Sequence, residues 1–329
     1  MSTSRAYAPA LALLLLAALI PAFVSANTVL NFIVFTLIIA LAAQGWNLLG
    51  GFGGQFSFGH AAFFGTGAYV TAILQARYGV NAWAGFAIAI AATALVGWII
   101  GYLSFRSGLR GSYFALVTLA FAEVFRILAN ASSFTGGAAG TLVKLDVRPE
   151  NFQFSSRAAF VWIGLALVGF VLLMTIAISR SRFGAWLAAV RENEDAARAL
   201  GVDTLAVKLK AITLSAGITG AAGALYVQYY LYLDANLAYG AWISVEALIA
   251  PIIGGIGTPL GPVIGAVAMH VIGELTKMVA GSIPGIDLVL YGALLVAAIA
   301  FAPDGIMGLL RKLFGKTAKP APASTEGAL

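Results

Sequence analysis

The chain contains no cysteine, which removes disulfide frameworks, thiolate chemistry and cysteine-based metal sites at once. Histidine is nearly as scarce, and His60 and His270 lie too far apart in sequence to form a local ligand motif. Charge is thin as well: 10% of the 329 residues are Asp, Glu, Lys or Arg, where a soluble domain carries about 25%. Motifs for common catalytic chemistry are broken or missing. Gly315-Lys316-Thr317 imitates the end of a phosphate-binding loop, but Leu310 stands where its first glycine must be. Gly65-Thr66-Gly67 lacks the third glycine of a dinucleotide fingerprint, because Val70 occupies that place. Neither Gly-x-Ser-x-Gly nor His-Glu-x-x-His occurs. The expectation is a chain that is not an enzyme, holds no cofactor or metal and does not itself hydrolyse ATP.

Apolar residues, by contrast, make up 61% of the chain and come in long blocks. A membrane-spanning helix needs about 20 such residues. Candidate spans fall at 9–26, 29–49, 56–76, 82–104, 112–130, 158–178, 211–232, 246–280 and 285–303. The fold class is therefore all-α, a polytopic membrane protein of about 8–10 transmembrane helices with glycine-interrupted or re-entrant segments. The first block, with Arg5 before it and Val24-Ser25-Ala26 after it, also has the look of a secretory signal. A retained first helix is the preferred reading, and cleavage at Ala26 would leave the remaining topology unchanged. The formal charge of +6 points to loops on the cytoplasmic side of a membrane and not to nucleic acid.

The block 246–280 is too long for one span and is broken by Gly254-Gly255-Ile256-Gly257-Thr258-Pro259-Leu260-Gly261-Pro262. A segment that enters and returns there places thirteen of the nineteen basic residues on one side, including the tail residues Arg311, Lys312, Lys316 and Lys319. The positive-inside rule makes that side the cytoplasm, with both termini in it and the loop 131–157 in the periplasm. Residues 1–315 then form one transmembrane domain, and 316–329 a disordered basic tail. A second glycine-rich stretch, Gly50-Gly51-Phe52-Gly53-Gly54, precedes Ser57, Gly59, His60 and Gly65. Paired glycine breaks of this kind mark Ser57, Gly59, His60, Gly65, Gly254, Gly255 and Gly257 as candidates for a translocation pathway. Close helix packing explains the same small residues equally well, and a packed, hydrogen-bonded His60 is the other reading of that residue. Within the spans, Glu123 with Arg126 and Glu274 with Lys277 are spaced to neutralise each other, whereas Glu246 lacks a local partner.

The cytoplasmic segment 179–210 contains a short capped helix. Asn193 suits the N-cap, Glu194 and Asp195 the first turn, Arg198 the last turn and Gly201 a left-handed terminus. Ala196, Ala197 and Leu200 would form a small apolar face for a shallow groove, and Asp203-Thr204 a cap for the helix that follows. The pattern Asp195-Ala196-Ala197, three residues, Gly201 resembles the Glu-Ala-Ala loop of ATP-binding-cassette importer permeases. The run from Arg191 to Leu225, together with 57–69 and 252–266, is similar to permeases of branched-chain amino-acid transporters of the LivM type. The resemblance implies that Asp195, Ala196, Ala197, Leu200 and Gly201 form a coupling helix. It also implies a homologous permease as heterodimer partner, two cytoplasmic ATPase subunits that use ATP and Mg, and a periplasmic substrate-binding protein, all at a bacterial inner membrane. This chain departs from the family where an asparagine is common in the external stretch, reading Thr135-Gly136-Gly137-Ala138-Ala139-Gly140. Permeases for urea, short amides or aromatic acids remain alternatives, as does an ion- or proton-coupled secondary transporter built around Glu246.

Overall fold

In a computed structural model, residues 4–280 and 304–314 are described, with scattered positions between 285 and 300. The span expected at 285–303 falls largely outside these residues, and the tail 316–329 wholly so.

The chain is a bundle of helices: α1 (Ser4–Phe23), α2 (Asn27–Trp46), α3 (His60–Tyr78), α4 (Ala82–Arg106), α5 (Gly111–Ala131) and α6 (Arg157–Ser179). They are followed by α7 (Arg182–Glu192), α8 (Glu194–Ala199), α9 (Thr204–Tyr230), α10 (Ala235–Tyr239), α11 (Ala241–Gly254) and α12 (Gly261–Ala280). A last described helix covers Gly305–Phe314. Among the described residues, seven helices are long and apolar enough to cross a membrane. Their outward faces carry exposed Leu95, Trp98, Ile99, Leu116, Ile127 and Phe170, as a lipid-facing surface requires.

The core is organised around α9, in which every residue from Ser215 to Gln228 is buried. With no hydrophobic driving force between helices in lipid, small residues decide how closely they approach. A side chain at Gly45 of α2 would lie 2.5 Å from the Thr219 hydroxyl, and one at Gly220 would lie 2.6 Å from Thr93 of α4. Gly223 leaves room for the Phe64 carbonyl of α3, and Gly67 for the carbonyl of Gly220 itself. α1 is peripheral. It lies on α6, where Leu14 packs over Gly169 and Trp162 Nε1 donates to the Ala18 carbonyl at 3.2 Å, while Leu15, Leu16, Leu19 and Phe23 stay exposed.

The returning segment is a helical hairpin. α11 and α12 run antiparallel, so closely that Gly254 meets the Gly261 carbonyl and Gly265 that of Ala250. The turn needs Gly255 at φ +126° and Gly257 at φ +70°, and Thr258 Oγ1 closes it by donating to Gly255 O at 2.7 Å. Gly305, at the start of the last described helix, abuts the backbone of Gly255.

α9 begins at Thr204, at the expected cap: Asp203 Oδ1 accepts from Ala206 N at 3.0 Å, so the helix starts ahead of the apolar run at 211 and Lys208 and Lys210 are helical. The loop 131–157 is built of short turns and a strand, β1 (Thr141–Leu142), paired antiparallel with β2 (Tyr232–Leu233). Phe152 anchors it, stacked on Trp83 at 4.1 Å.

Candidate functional site

The α7–α8 segment stands on the bundle end at which the hairpin turns. Asn193 ends α7 and opens α8, its Oδ1 accepting from Asp195 N at 3.1 Å and Ala196 N at 2.9 Å. Gly201 then takes φ +88°, a conformation that side-chain-bearing residues rarely adopt. Between these stops the carboxylates of α8 bind three basic side chains. Glu194 Oε1 accepts from Lys208 Nζ at 2.8 Å and Arg198 Nη2 at 2.9 Å, while its Oε2 lies 3.3 Å from Arg110 Nε. Asp195 receives a two-pronged contact from Arg110, 3.0 Å at each oxygen. Arg110 comes from the α4–α5 connection, so α8 is bolted to both α5 and α9.

Burial alone pushes the Glu194 carboxyl up, but the hydrogen bond from Lys208 and the charges of Lys208 and Arg110 outweigh it and hold the group below its ordinary value. The Asp195 carboxyl is lowered first by its hydrogen bonds from Arg110 and then by that guanidinium's charge. Lys208, 3% exposed, also lies 4.8 Å from the Phe105 ring centre. Both carboxylates therefore stay ionised at neutral pH and make the base of α8 rigid.

The expected apolar face of α8 needs correction. Ala197 points inward and is 3% exposed, because the helix turns that side onto the bundle core. The outward face consists of exposed Ala196 and Ala199 with Leu200, which is 86% exposed. α7 escaped the sequence pattern. Its usable signals were the Ser181 N-cap, which accepts from Gly184 N at 3.2 Å, and the spacing of buried Leu187 and Val190.

The candidate pathway residues fall into two groups. Ser57 and His60 are fully buried, with His60 Nδ1 3.2 Å from Ser57 Oγ and Nε2 2.9 Å from Ser215 Oγ. Gly59 packs on the Thr118 carbonyl and Gly65 on the Tyr239 ring. Within this chain these four are packing contacts. Gly254, Gly255 and Gly257 form the hairpin turn. The two glycine-interrupted segments do meet, through Asn47, whose Nδ2 donates to Thr258 O at 2.9 Å and whose Oδ1 accepts from Gly257 N at 2.9 Å. The stretch Asn47–Phe52 is a π-helical turn, and Arg191 of α7 donates to its Gly51 carbonyl at 3.1 Å. Glu123 pairs with Arg126, and Glu274 with Lys277 at 2.8 Å. Glu246 is not alone either: His270 Nε2 stands 3.6 Å from its Oε2, and His270 Nδ1 lies 2.9 Å from Thr36 Oγ1.

Residues 28–299 match the family model described as branched-chain amino acid transport system / permease component. The chain is 29% identical over 324 residues to the high-affinity branched-chain amino acid transport system permease protein LivM of Escherichia coli (strain K12), covering 91% of this chain and 74% of that one. It is 28% identical over 286 residues to LivH of the same strain, covering 82% of this chain and 91% of LivH. BraD of Pseudomonas aeruginosa, another permease protein of such a system, is 25% identical over 285 residues, with coverage of 82% and 91%. No solved structure matches the chain. With the family model spanning most of a bundle of apolar helices, this multi-pass membrane protein belongs to the permease-component family of branched-chain amino acid transport systems.

Proposed function

We propose that this chain is the transmembrane permease subunit of an ATP-binding-cassette importer, moving branched-chain or related small amino acids from a periplasmic binding protein to the cytoplasm. The observation that carries this reading is α8. It is a short helix with exposed Leu200 at its tip and its other side held by Glu194 and Asp195 to two spans. Such an element transmits a push without bending. The α7–α8 end and the helix Gly305–Phe314 beside it face the cytoplasm, as does the N-terminus, and the 131–157 cap faces the periplasm. E. coli has both LivM and LivH, two permease proteins each similar to this chain, which supports a homologous partner in a heterodimer. ATP and Mg belong to two ATPase subunits docked under α8, and this chain needs no cofactor of its own.

The test is Leu200→Glu, with Ala196→Glu beside it, in the complete assembly reconstituted in proteoliposomes. Either change puts a charge into an apolar groove without touching the core. Transport and substrate-stimulated ATP hydrolysis should fall together while the assembly stays folded. Wild-type rates in both variants would remove α8 as the coupling element.

A second reading, an ion- or proton-coupled secondary transporter, is favoured by one observation. Glu246 Oε2 and His270 Nε2 face each other at 3.6 Å between α11 and α12, and neither atom has a hydrogen-bond partner among the described residues. Uptake into ATP-free vesicles driven by a pH gradient alone is what that reading requires.

A further inference from the structure

Three elements from distant parts of the chain meet at one point on the end proposed above as cytoplasmic: the close of α2, the turn of the α11–α12 hairpin, and α7. α2 runs into the π-helical turn Asn47–Phe52, and turns of that kind are rare and concentrate at functional sites. Asn47 is 1% exposed, and both ends of its carboxamide go to the hairpin turn, through Gly257 N and Thr258 O. The seam between the two segments is tight, since a Cβ at Gly51 would lie 2.7 Å from Gly257 N. Arg191 of α7 lies along this seam. Its Nη1 donates to the Gly51 carbonyl at 3.1 Å and would stand 3.3 Å from a Cβ placed at Gly257. Gly54, at φ +67°, lets the stem of that arginine rest on the turn, because a Cβ there would be 2.6 Å from Arg191 Cγ. Glu192 Oε1 accepts from Arg191 Nη2 at 2.9 Å and so aims the guanidinium. α7 and α8 share Asn193 as their joint, so whatever displaces α8 also pulls on Arg191.

Electrostatics explains why a cation belongs at this seam. A helix carries partial negative charge at its C-terminal end, where the last carbonyls lack partners within the helix. α2 with its π-helical turn ends here, and so does α11, so two negative ends meet. Asn47 meets part of the exposed backbone but is neutral. Arg191 brings the positive charge that offsets the repulsion, and its guanidinium stays charged at any relevant pH. We propose that Arg191 is a positioning residue of the transport cycle. Through it α7 holds the two glycine-interrupted segments together, and withdrawal of α7 with α8 lets them part at the cytoplasmic mouth of the pathway. The proposal rests on the importer reading above and adds to it the side chain that hands motion from the coupling segment to the spans. The joined and parted states differ in where one guanidinium sits, and a difference of that kind lets a partner's movement bias the equilibrium between them.

The test uses the complete assembly in proteoliposomes, with leucine and the soluble binding protein as probe, and reads ATP hydrolysed per leucine imported. Arg191→Gln removes the charge and keeps most of the stem. It should raise that ratio about tenfold, the scale of one lost hydrogen bond to a charged group, because hydrolysis continues while import falls. The melting temperature should hold. Arg191→Lys, which keeps a cation within reach of the Gly51 carbonyl, should recover part of the coupling. Asn47→Ala cuts the clasp itself and should raise the ratio too, and Arg191→Gln should add little on top of it, since both act on one junction. A wild-type ratio in Arg191→Gln overturns the proposal. A parallel fall of import and hydrolysis with a lower melting temperature, as a merely structural contact would give, overturns it as well. Strictly additive effects of Arg191→Gln and Asn47→Ala would place Arg191 outside the junction and count the same way. Leu200→Glu, run alongside, separates the two readings. Wild-type rates in that variant with a raised ratio in Arg191→Gln would remove α8 as the ATPase contact and leave Arg191 in its role. Lost import and hydrolysis in Leu200→Glu with no change in Arg191→Gln would leave the importer standing and sink the proposal.

Discussion

Lys208 is a cation enclosed by the protein near the base of α9, and Glu194 is its carboxylate partner at 2.8 Å. Removing one member of an enclosed pair leaves the other uncompensated, which costs about 3–5 kcal/mol. Glu194→Gln should therefore lower the melting temperature of the purified assembly far more than exposed Glu192→Gln does. The pH dependence follows from the lowered Glu194 value. A depressed carboxyl contributes its stabilisation in full above the unfolded-chain pKa of about 4.3 and loses it as pH falls through the folded value. The stability gap between wild type and Glu194→Gln should thus be flat around neutral pH and close in acid. A gap of constant size down to that range would mean that the carboxylate charge is not what holds α8. At this scale the caps were legible in the sequence, since Asn193, Gly201 and Asp203 act on residues two or three positions away. The Arg110 contact was not, because 85 residues separate it from Asp195 and no local pattern encodes that pairing. The mistaken direction of Ala197 has a similar origin: spacing shows which residues share a face of α8, not which face the bundle covers.

Among the elements, α9 is held close to its neighbours through small residues. Ala216, Gly220 and Ala224 recur at helical spacing along it, a stripe that suits close helix contact. Gly220 lies within 2.6 Å, measured from an added Cβ, of Thr93 and under Gly67. Gly220→Leu should destabilise the bundle by at least 1–3 kcal/mol through overpacking, read as reduced yield and a lower melting temperature in detergent. Unchanged yield and melting would show that α4 can retreat from α9 at little cost. The α11–α12 hairpin was also legible, because glycine and proline at such density cannot continue a helix. Its docking on Asn47 was not, since the asparagine precedes the glycine stretch and carries no motif of its own.

For the molecule as a whole, the described residues put the hairpin turn, α7 and the helix Gly305–Phe314 at one end, through Asn47, Arg191 and Gly255. The orientation proposed above, from the positive-inside count, makes that end cytoplasmic. In this cysteine-free chain, Lys312→Cys should resist a membrane-impermeant maleimide in intact spheroplasts and react after permeabilisation, whereas Leu145→Cys should react from outside at once. Reaction of Lys312→Cys in intact spheroplasts would invert the arrangement. The apolar spans were readable because apolar length accumulates along a chain. The pairing of β1 with β2 was not, because two-residue strands so far apart in sequence carry no pattern of their own. The marginal position of α1 has a further consequence, for synthesis. Its partner α6 is completed about 150 residues later, which at ribosomal speeds of about 5–20 residues per second is a wait of roughly 10–30 s. During that interval α1 has only lipid for company. Its bare run of leucine and alanine, with no polar group in need of a neighbour between Leu11 and Ile20, is what a helix must have to wait alone in the bilayer.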